Sequence, residues 1–414
     1  MAIPKPEKRI AEFEKLGLGM FVHWGLYSQA GQGEWFFWHG QGRDMKSYEK
    51  LMDTFTAKDF DARELVNLAK AAGCKYITLT TRHHEGFSLY DTKGLCDFDA
   101  PHSPAGRDLI REFVDACNES GIIPFFYHTT LDWYQPSFNE DFDGYLEYLR
   151  KSVEVLCTNY GKIGGLWFDG NWSKKDADWK ESELYATIRR HQPDAIIVNN
   201  TGLGARGAVG NPEIDSVTFE QGRPTPMDRE GMPKYVAAEM CGTLNDHWGI
   251  GKDDFNYKSP KEIIENLCAC RKVGANYLLN IGPTAQGGID EMQGALMNTV
   301  GKWMELYGEA IYQGKPHPAT SVVEKNFVLK GDGALYFFIH DLGKRGSANV
   351  VVGGRYSGNM AFNRVEEKIE KIEWMDDGES LEFMQNGSTL TFCATGFPYG
   401  KSTCVRVAKA TVKE

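Results

Sequence analysis

From residue 18 to about residue 305 the chain alternates between two patterns of hydrophobic and polar positions. Short runs that are apolar, β-branched or aromatic almost throughout cover residues 19–24, 76–83, 122–129, 164–170, 195–200, 216–221 and 277–282. Between them, apolar positions recur at helical spacing. Asp61 and Glu64 resemble a capping box, Leu65, Leu68, Ala69 and Ala72 share one face behind it, and Gly73 supplies the stop. Ser259, Pro260 and Glu262 begin a second helix, with Ile263, Leu267 and Cys270 on its apolar side. Leu109, Ile110, Phe113, Val114 and Cys117 form a third stripe.

Strands that are apolar on both faces and separated by helices predict a parallel sheet covered on both sides. Polar residues decide how that sheet is arranged. His23, His83, His84, Tyr127, Asp169 and Glu220 all fall at or just past the C-terminal ends of predicted strands. A closed barrel brings those ends to one mouth, whereas an open sheet gathers residues only at its switch point. The expectation is an α/β chain with a (β/α)8-like barrel catalytic domain over residues 1–315. Beyond it, short strands are predicted at 334–340, 348–353, 369–375, 380–385, 389–394 and 403–408. Asn386–Gly387, between alternating apolar runs, signals a hairpin. Residues 316–414 therefore read as a small antiparallel β-sandwich domain.

Composition narrows the functional classes. The chain has 414 residues, 42% hydrophobic and 25% charged, with net charge −11. That acidic balance argues against a phosphate-binding surface, and no nucleic-acid partner is expected. No run of about 18 apolar residues occurs and the N-terminal segment is polar, so no membrane association and a cytoplasmic location are expected. The nine cysteines are odd in number and form no C-x-x-C pair, which predicts reduced core residues rather than a zinc ribbon or a disulfide framework. Aromatics make up 12% of the chain, and several of its ten tryptophans crowd beside carboxylates at Glu34–Trp35, Asp132–Trp133 and Trp167–Phe168–Asp169–Gly170–Asn171–Trp172. Aromatic faces next to carboxylates suit the C–H faces and hydroxyls of sugar rings.

Two constellations carry candidate chemistry. Asp169 directly follows a buried run; an isolated Asp there would cap the next helix, but this one is flanked by Trp167 and Trp172 and shares a mouth with other polar groups. It reads as a nucleophile or base. His83–His84–Glu85 invites a metal, yet H-E-x-x-H is missing and neighbouring strand side chains point to opposite faces. Hydrogen bonding to a polyhydroxylated substrate fits better, and His23 and Glu34–Trp35 add to it.

Phe21-Val22-His23-Trp24-Gly25, Glu34-Trp35, His83-His84-Glu85-Gly86-Phe87 and Trp167-Phe168-Asp169-Gly170 together resemble the α-L-fucosidases of glycoside hydrolase family 29. The resemblance covers roughly residues 10–310. It implies a (β/α)8-like barrel followed by a β-sandwich, and a retaining mechanism acting on fucosylated glycans without metal or cofactor. It implies further that Asp169 is the nucleophile and that His23, Glu34, Trp35, His83, His84 and Tyr127 surround the fucose; Trp248 is taken as a further substrate contact.

A retaining glycosidase also needs an acid/base carboxyl. Glu220, ending a strand-like run, is favoured for that role. Glu239, in Ala238-Glu239-Met240-Cys241, resembles another family motif in which Trp precedes the Glu, and Glu34 is the third candidate. Where many members carry an Arg after the strand matching 196–200, this chain has Thr201-Gly202-Leu203-Gly204, leaving Arg206 and Arg223 to substitute. The competing readings are a retaining glycosidase on a related sugar such as an α-L-galactoside, a catalytically silent fucose-binding protein, and a metal hydrolase.

Overall fold

In the computed structural model, which describes residues 2–39, 44–201, 204–345 and 357–413, the chain divides by its contacts into two units. One comprises Met1–Lys258 with Asn276–Asn298, the other Ser259–Ala275 with Thr299–Glu414.

Eight parallel strands close the first unit into a barrel in chain order. They are β1 (Leu18–Val22), β2 (Tyr76–Arg82), β3 (Ile123–Thr129), β4 (Gly165–Asp169), β5 (Ile196–Asn199), β6 (Ser216–Glu220), β7 (Ala237–Thr243) and β8 (Asn276–Ile281). Closure is made by β1 against β8, with Leu18 opposite Tyr277. Seven of these strands coincide with the predicted runs to within two residues at either end. The eighth, β7, was not among them. Its sequence, Ala-Ala-Glu-Met-Cys-Gly-Thr, has one β-branched residue and a carboxylate, yet all seven residues are buried. Barrel closure, not strand propensity, holds it there. The helix starts behave as read: Asp61 accepts the Arg63 backbone N–H at 2.8 Å, and Ser259 accepts that of Glu262 at 3.2 Å.

Period-two alternation turns Phe21, Tyr76, Phe125, Tyr127, Trp167, Val198, Cys241 and Leu278 into the barrel, where they form one cluster. Gly19 makes this possible for Tyr76, because a Cβ on Gly19 would collide with the Tyr76 ring. The N-terminal end is plugged by the helix Lys8–Glu14, whose buried Ile10 and Phe13 join the cluster.

Arg9 of that helix reaches Asp215, just before β6, with its Nη2 at 3.0 Å. Arg189 Nη2 (2.5 Å) and Lys234 Nζ (2.9 Å) meet the same fully buried carboxylate. Burial alone would raise the Asp215 pKa, but hydrogen bonding to Arg9 and the charges of Arg189 and Lys234 hold it below the ordinary value. Asp215→Ala strands three cations around one cavity and should cost about 3 kcal/mol of stability in urea unfolding. Because the folded-state pKa is depressed, this contribution is complete above the unfolded value. The gap between wild type and variant should narrow as pH falls below about 4. A constant gap down to pH 2 would remove the ion pairs from the account.

In the second unit, β9 (Lys315–Pro316), β10 (Thr320–Ser321), β11 (Phe327–Gly331), β12 (Ala334–His340), β13 (Gly358–Asn363), β14 (Ile369–Trp374), β15 (Phe383–Asn386), β16 (Thr389–Ala394) and β17 (Val405–Val412) form two antiparallel sheets, ordered β10-β13-β16-β15 and β14-β17-β12-β11-β9. Phe337 of β12 meets Phe362 of β13 and Phe392 of β16 at 4.9 and 5.4 Å, which identifies the facing sheets as a sandwich. The hairpin turns on Gly387–Ser388, one residue later than the Asn386–Gly387 reading, since Asn386 pairs with Thr389. Gly387 takes φ 58°, which a tight turn of this kind requires. The run at 348–353 lies outside the described residues.

Candidate active site

Register places the carboxyl groups. On β4, Trp167 and Asp169 share the inward face, and Asp169, opposite Thr129 of β3, is the last residue of the strand. On β6, Glu220 holds the equivalent terminal position. Glu220 pairs with Cys241 of β7, so Glu239 is level with Thr218, one inward layer deeper. Two carboxyl groups therefore reach the mouth and the third is sealed beneath it.

Eight of the ten residues nominated from sequence line one pocket at the C-terminal end of the barrel: Asp169, Glu220, His23, Trp35, His83, His84, Tyr127 and Trp248. Phe21, Trp167 and Trp172 complete it. Both adjacent histidines face the pocket because β2 ends at Arg82, so strand alternation no longer separates them. Their rings lie 4.1 Å apart, and His83 stacks on Tyr127 at 5.5 Å.

Asp169 is held by four neighbours. Trp172 Nε1 donates to Oδ1 at 2.8 Å and Tyr127 Oη donates to Oδ2 at 3.2 Å. Asn200 Nδ2 approaches Oδ1 at 3.5 Å, and His84 Nε2 stands 3.5 Å from Oδ2. Burial raises the carboxyl pKa, and the bonds from Trp172, Tyr127 and Asn200 oppose that rise by favouring the anion.

Asn200 links the two mouth carboxyls. The same Nδ2 donates to Glu220 Oε2 at 2.6 Å, while Thr218 Oγ1 donates to the amide oxygen at 2.8 Å and fixes its orientation. Glu220 Oε2 and Asp169 Oδ1 are therefore no more than about 6.1 Å apart, the sum of their distances to that nitrogen. Burial first, then the negative charge of Asp169, pushes the Glu220 pKa up to about 7. Immediately after it, Gln221 takes φ 50° and turns the chain off the barrel. Arg206 Nε donates to the Glu220 carbonyl at 2.7 Å, which brings one of the two candidate arginines beside this carboxyl. Gly202 and Leu203 lie outside the described residues.

Burial disfavours the charged form of the three pocket histidines. Burial takes His23 and His84 down to about 3 and His83 well below its ordinary value. Asn280 Nδ2 is committed to the Trp248 carbonyl at 2.7 Å, so its Oδ1 faces His23 Nδ1, also at 2.7 Å. The His23 proton accordingly sits on Nδ1, and Nε2 is left to accept.

Glu34 and Glu239 are not on the pocket wall. Glu34 Oε2 accepts the backbone N–H groups of Trp248 (3.1 Å) and Gly249 (2.9 Å), stapling the loop that carries Trp248. Glu239 accepts from Trp167 Nε1 at 3.0 Å and from Tyr76 Oη, and burial raises its pKa to about 7. It lies beneath the pocket, bonded to the Trp167 indole that forms part of the pocket wall. Glu239→Ala should lose about 2 kcal/mol of stability through the orphaned Trp167 N–H and the cavity left behind. Whatever activity it loses should not depend on the leaving group, and Glu239→Gln should restore most of both. A leaving-group-dependent loss in Glu239→Ala would return it to the candidate acids.

Asn200 and Trp172 were not assigned a role from sequence. The signal for Trp172 was its position three residues after Asp169. Asn200 offered only its place at a strand end.

Comparison with known proteins follows the same lines. Residues 5–309 match the family model for alpha-L-fucosidase. Tissue alpha-L-fucosidase of Rattus norvegicus is 31% identical over 361 residues, covering 79% of this chain and 76% of that protein. The Homo sapiens tissue enzyme is 30% identical over 364 residues, 80% of this chain and 75% of that one. Alpha-L-fucosidase isoenzyme 1 from Paenibacillus thiaminolyticus superposes with a TM-score of 0.81 at 31% identity, covering 98% of this chain and 99% of that chain. With the barrel, the pocket and a family match over most of its length in agreement, the chain belongs to the alpha-L-fucosidase family.

Proposed function

We propose that this protein is a retaining α-L-fucosidase that removes terminal α-L-fucosyl residues from glycans by double displacement. The observation that carries the reading is the Asn200 bridge, which keeps oxygens of Asp169 and Glu220 within about 6.1 Å of one another. Retaining enzymes set their carboxyl groups roughly 5–5.5 Å apart, and inverting ones roughly 6.5–9.5 Å to admit a water. In this reading Asp169 attacks the anomeric carbon while Glu220 protonates the departing oxygen. Water, deprotonated by Glu220, then releases the sugar from the fucosyl-Asp169 ester. His23, His83, His84 and Tyr127 hydrogen-bond the fucose hydroxyls, and Trp35 and Trp248 pack on its ring.

Proton NMR of an α-L-fucoside digest tests this directly: α-L-fucose should appear first and mutarotate later. First appearance of the β anomer, or no release of fucose, would overturn the reading. The pH profile of kcat/KM gives a second check. Glu220 must carry its proton, so activity should fall as pH rises through about 7. Asp169 must be ionised, and with its pKa raised the acid limb should stand above the ordinary carboxylate range. Both limbs belong to the coupled pair rather than to single residues.

A further inference from the structure

A carboxyl that the reaction does not use lies behind the pocket. Glu85, two residues after His83, is fully buried and lines no part of the pocket wall. Its Oε2 stands 3.7 Å from His83 Nδ1, a buried nitrogen with no hydrogen-bond partner among the described residues. Gly25 keeps this place open, since a Cβ there would come within 2.6 Å of Glu85 Oε1. His83 also lines the pocket, so its Nε2 is the nitrogen left for a substrate. Burying a carboxyl is costly, and Arg82 pairs with Asp132, Nε to Oδ2 at 3.7 Å, rather than with Glu85. The other two pocket histidines are already fixed. His23 gives its Nδ1 proton to Asn280. Thr129 Oγ1 donates to the Leu131 carbonyl, so it accepts from His84 Nδ1 at 2.7 Å. Each of these two rings therefore has a bare, accepting Nε2.

Resting on the fucosidase reading above, we infer that Glu85 is a positioning residue for His83: from behind the pocket it holds the ring and sets which nitrogen carries the proton. A movement of about 1 Å brings the pair to hydrogen-bond distance, and such bonds commonly tighten when substrate binds. Burial pushes the Glu85 pKa up to about 8; the charge of Asp132 adds to the rise, and the Leu26 backbone N–H and Arg82 oppose it. At pH 7 the carboxyl thus keeps its proton and donates it in a hydrogen bond to His83 Nδ1. His83 Nε2 then carries the one ring N–H that the three histidines offer the sugar. The wall presents two acceptors and one donor to the fucose hydroxyls, and Glu85 makes the donor.

Long-range proton–nitrogen NMR correlation of histidine-labelled protein reads the tautomer directly and needs no turnover. At pH 7 His83 should carry its proton on Nε2 in wild type and in Glu85→Gln, whose amide can still donate. That preference should be lost in Glu85→Met, which fills the space without a polar atom. On an aryl α-L-fucoside, kcat/KM should fall about tenfold in Glu85→Met, the scale of one hydrogen bond, and Glu85→Gln should recover most of it. In a His83→Ala background the Glu85→Met penalty should shrink to within about twofold, because its effect runs through that ring. An Nδ1 proton on His83 in wild type would overturn the inference. So would equal Glu85→Met penalties with and without the His83 side chain, equal losses in Glu85→Gln and Glu85→Met, or no loss in either. Should Glu85→Met fail to fold, the wild-type spectrum and Glu85→Gln still decide. Failure of the wild-type protein to release fucose would instead sink the fucosidase reading and leave the tautomer measurement standing.

Discussion

Asp169→Ala should lower kcat/KM on an aryl α-L-fucoside by about 10⁴-fold or more while the thermal transition stays close to that of wild type. The side chain ends β4 at the pocket, and its partners, Trp172, Tyr127 and Asn200, are anchored by their own elements. Removing it takes away chemistry rather than core. The space it leaves is ringed by hydrogen-bond donors, which suits a small anion. Azide should therefore recover part of the activity and give the β-fucosyl azide, because the anion attacks once, from the side on which the carboxylate stood. An α-azide product from this variant would show that another group forms the covalent intermediate and would remove Asp169 from the nucleophile role.

Glu220→Ala should separate substrates by their leaving groups. A general acid matters most when the departing oxygen is basic. Hydrolysis of a fucosylated glycan should fall by about 10²–10⁴-fold, whereas a dinitrophenyl fucoside, whose leaving group needs little protonation, should still form the fucosyl-enzyme at a comparable rate. Breakdown of that intermediate then limits turnover, since no base remains to activate water. Azide needs no base, so it should accelerate this variant and give the retained α-azide. The fall in kcat/KM above about pH 7 should disappear with the carboxyl that causes it. If Glu239→Ala shows this pattern and Glu220→Ala does not, the two roles must be exchanged. That result would also contradict the register that buries Glu239 behind Trp167 and Tyr76.

How much of this was legible in the chain can be traced residue by residue. The apolar runs before His23, His83, Asp169 and Glu220 predicted parallel strands because parallel barrel strands are covered on both faces and carry no polar alternation. Motif spacing then carried Asp169, the three histidines, Tyr127 and Trp35 to one mouth, where all of them line the pocket. β7 stayed hidden because it has a single β-branched residue and carries a carboxylate, and only pairing with β6 and β8 makes it a strand. Glu34 is a local motif whose partners, Trp248 and Gly249, lie more than two hundred residues away, so sequence could mark it but not say what it holds.

The sequence by itself determined the barrel, the sandwich and the identity of the catalytic family, because period-two and helical patterns are local and the motifs are specific in combination. Tertiary structure alone decided which of the two glutamates lines the pocket. Glu220 and Glu239 are equally carboxylic, equally strand-borne and both have pKa values raised to about 7 by burial. What separates them is one step of inter-strand register, which sets Glu220 opposite Cys241 at the rim and Glu239 opposite Thr218 below it. Register is fixed by packing of the barrel interior, where the Tyr76 ring over Gly19 and the Trp167 indole occupy the layer that Glu239 joins. The Asn200 bridge has the same origin, since it requires the ends of β4, β5 and β6 to converge in space and no spacing along the chain encodes that meeting.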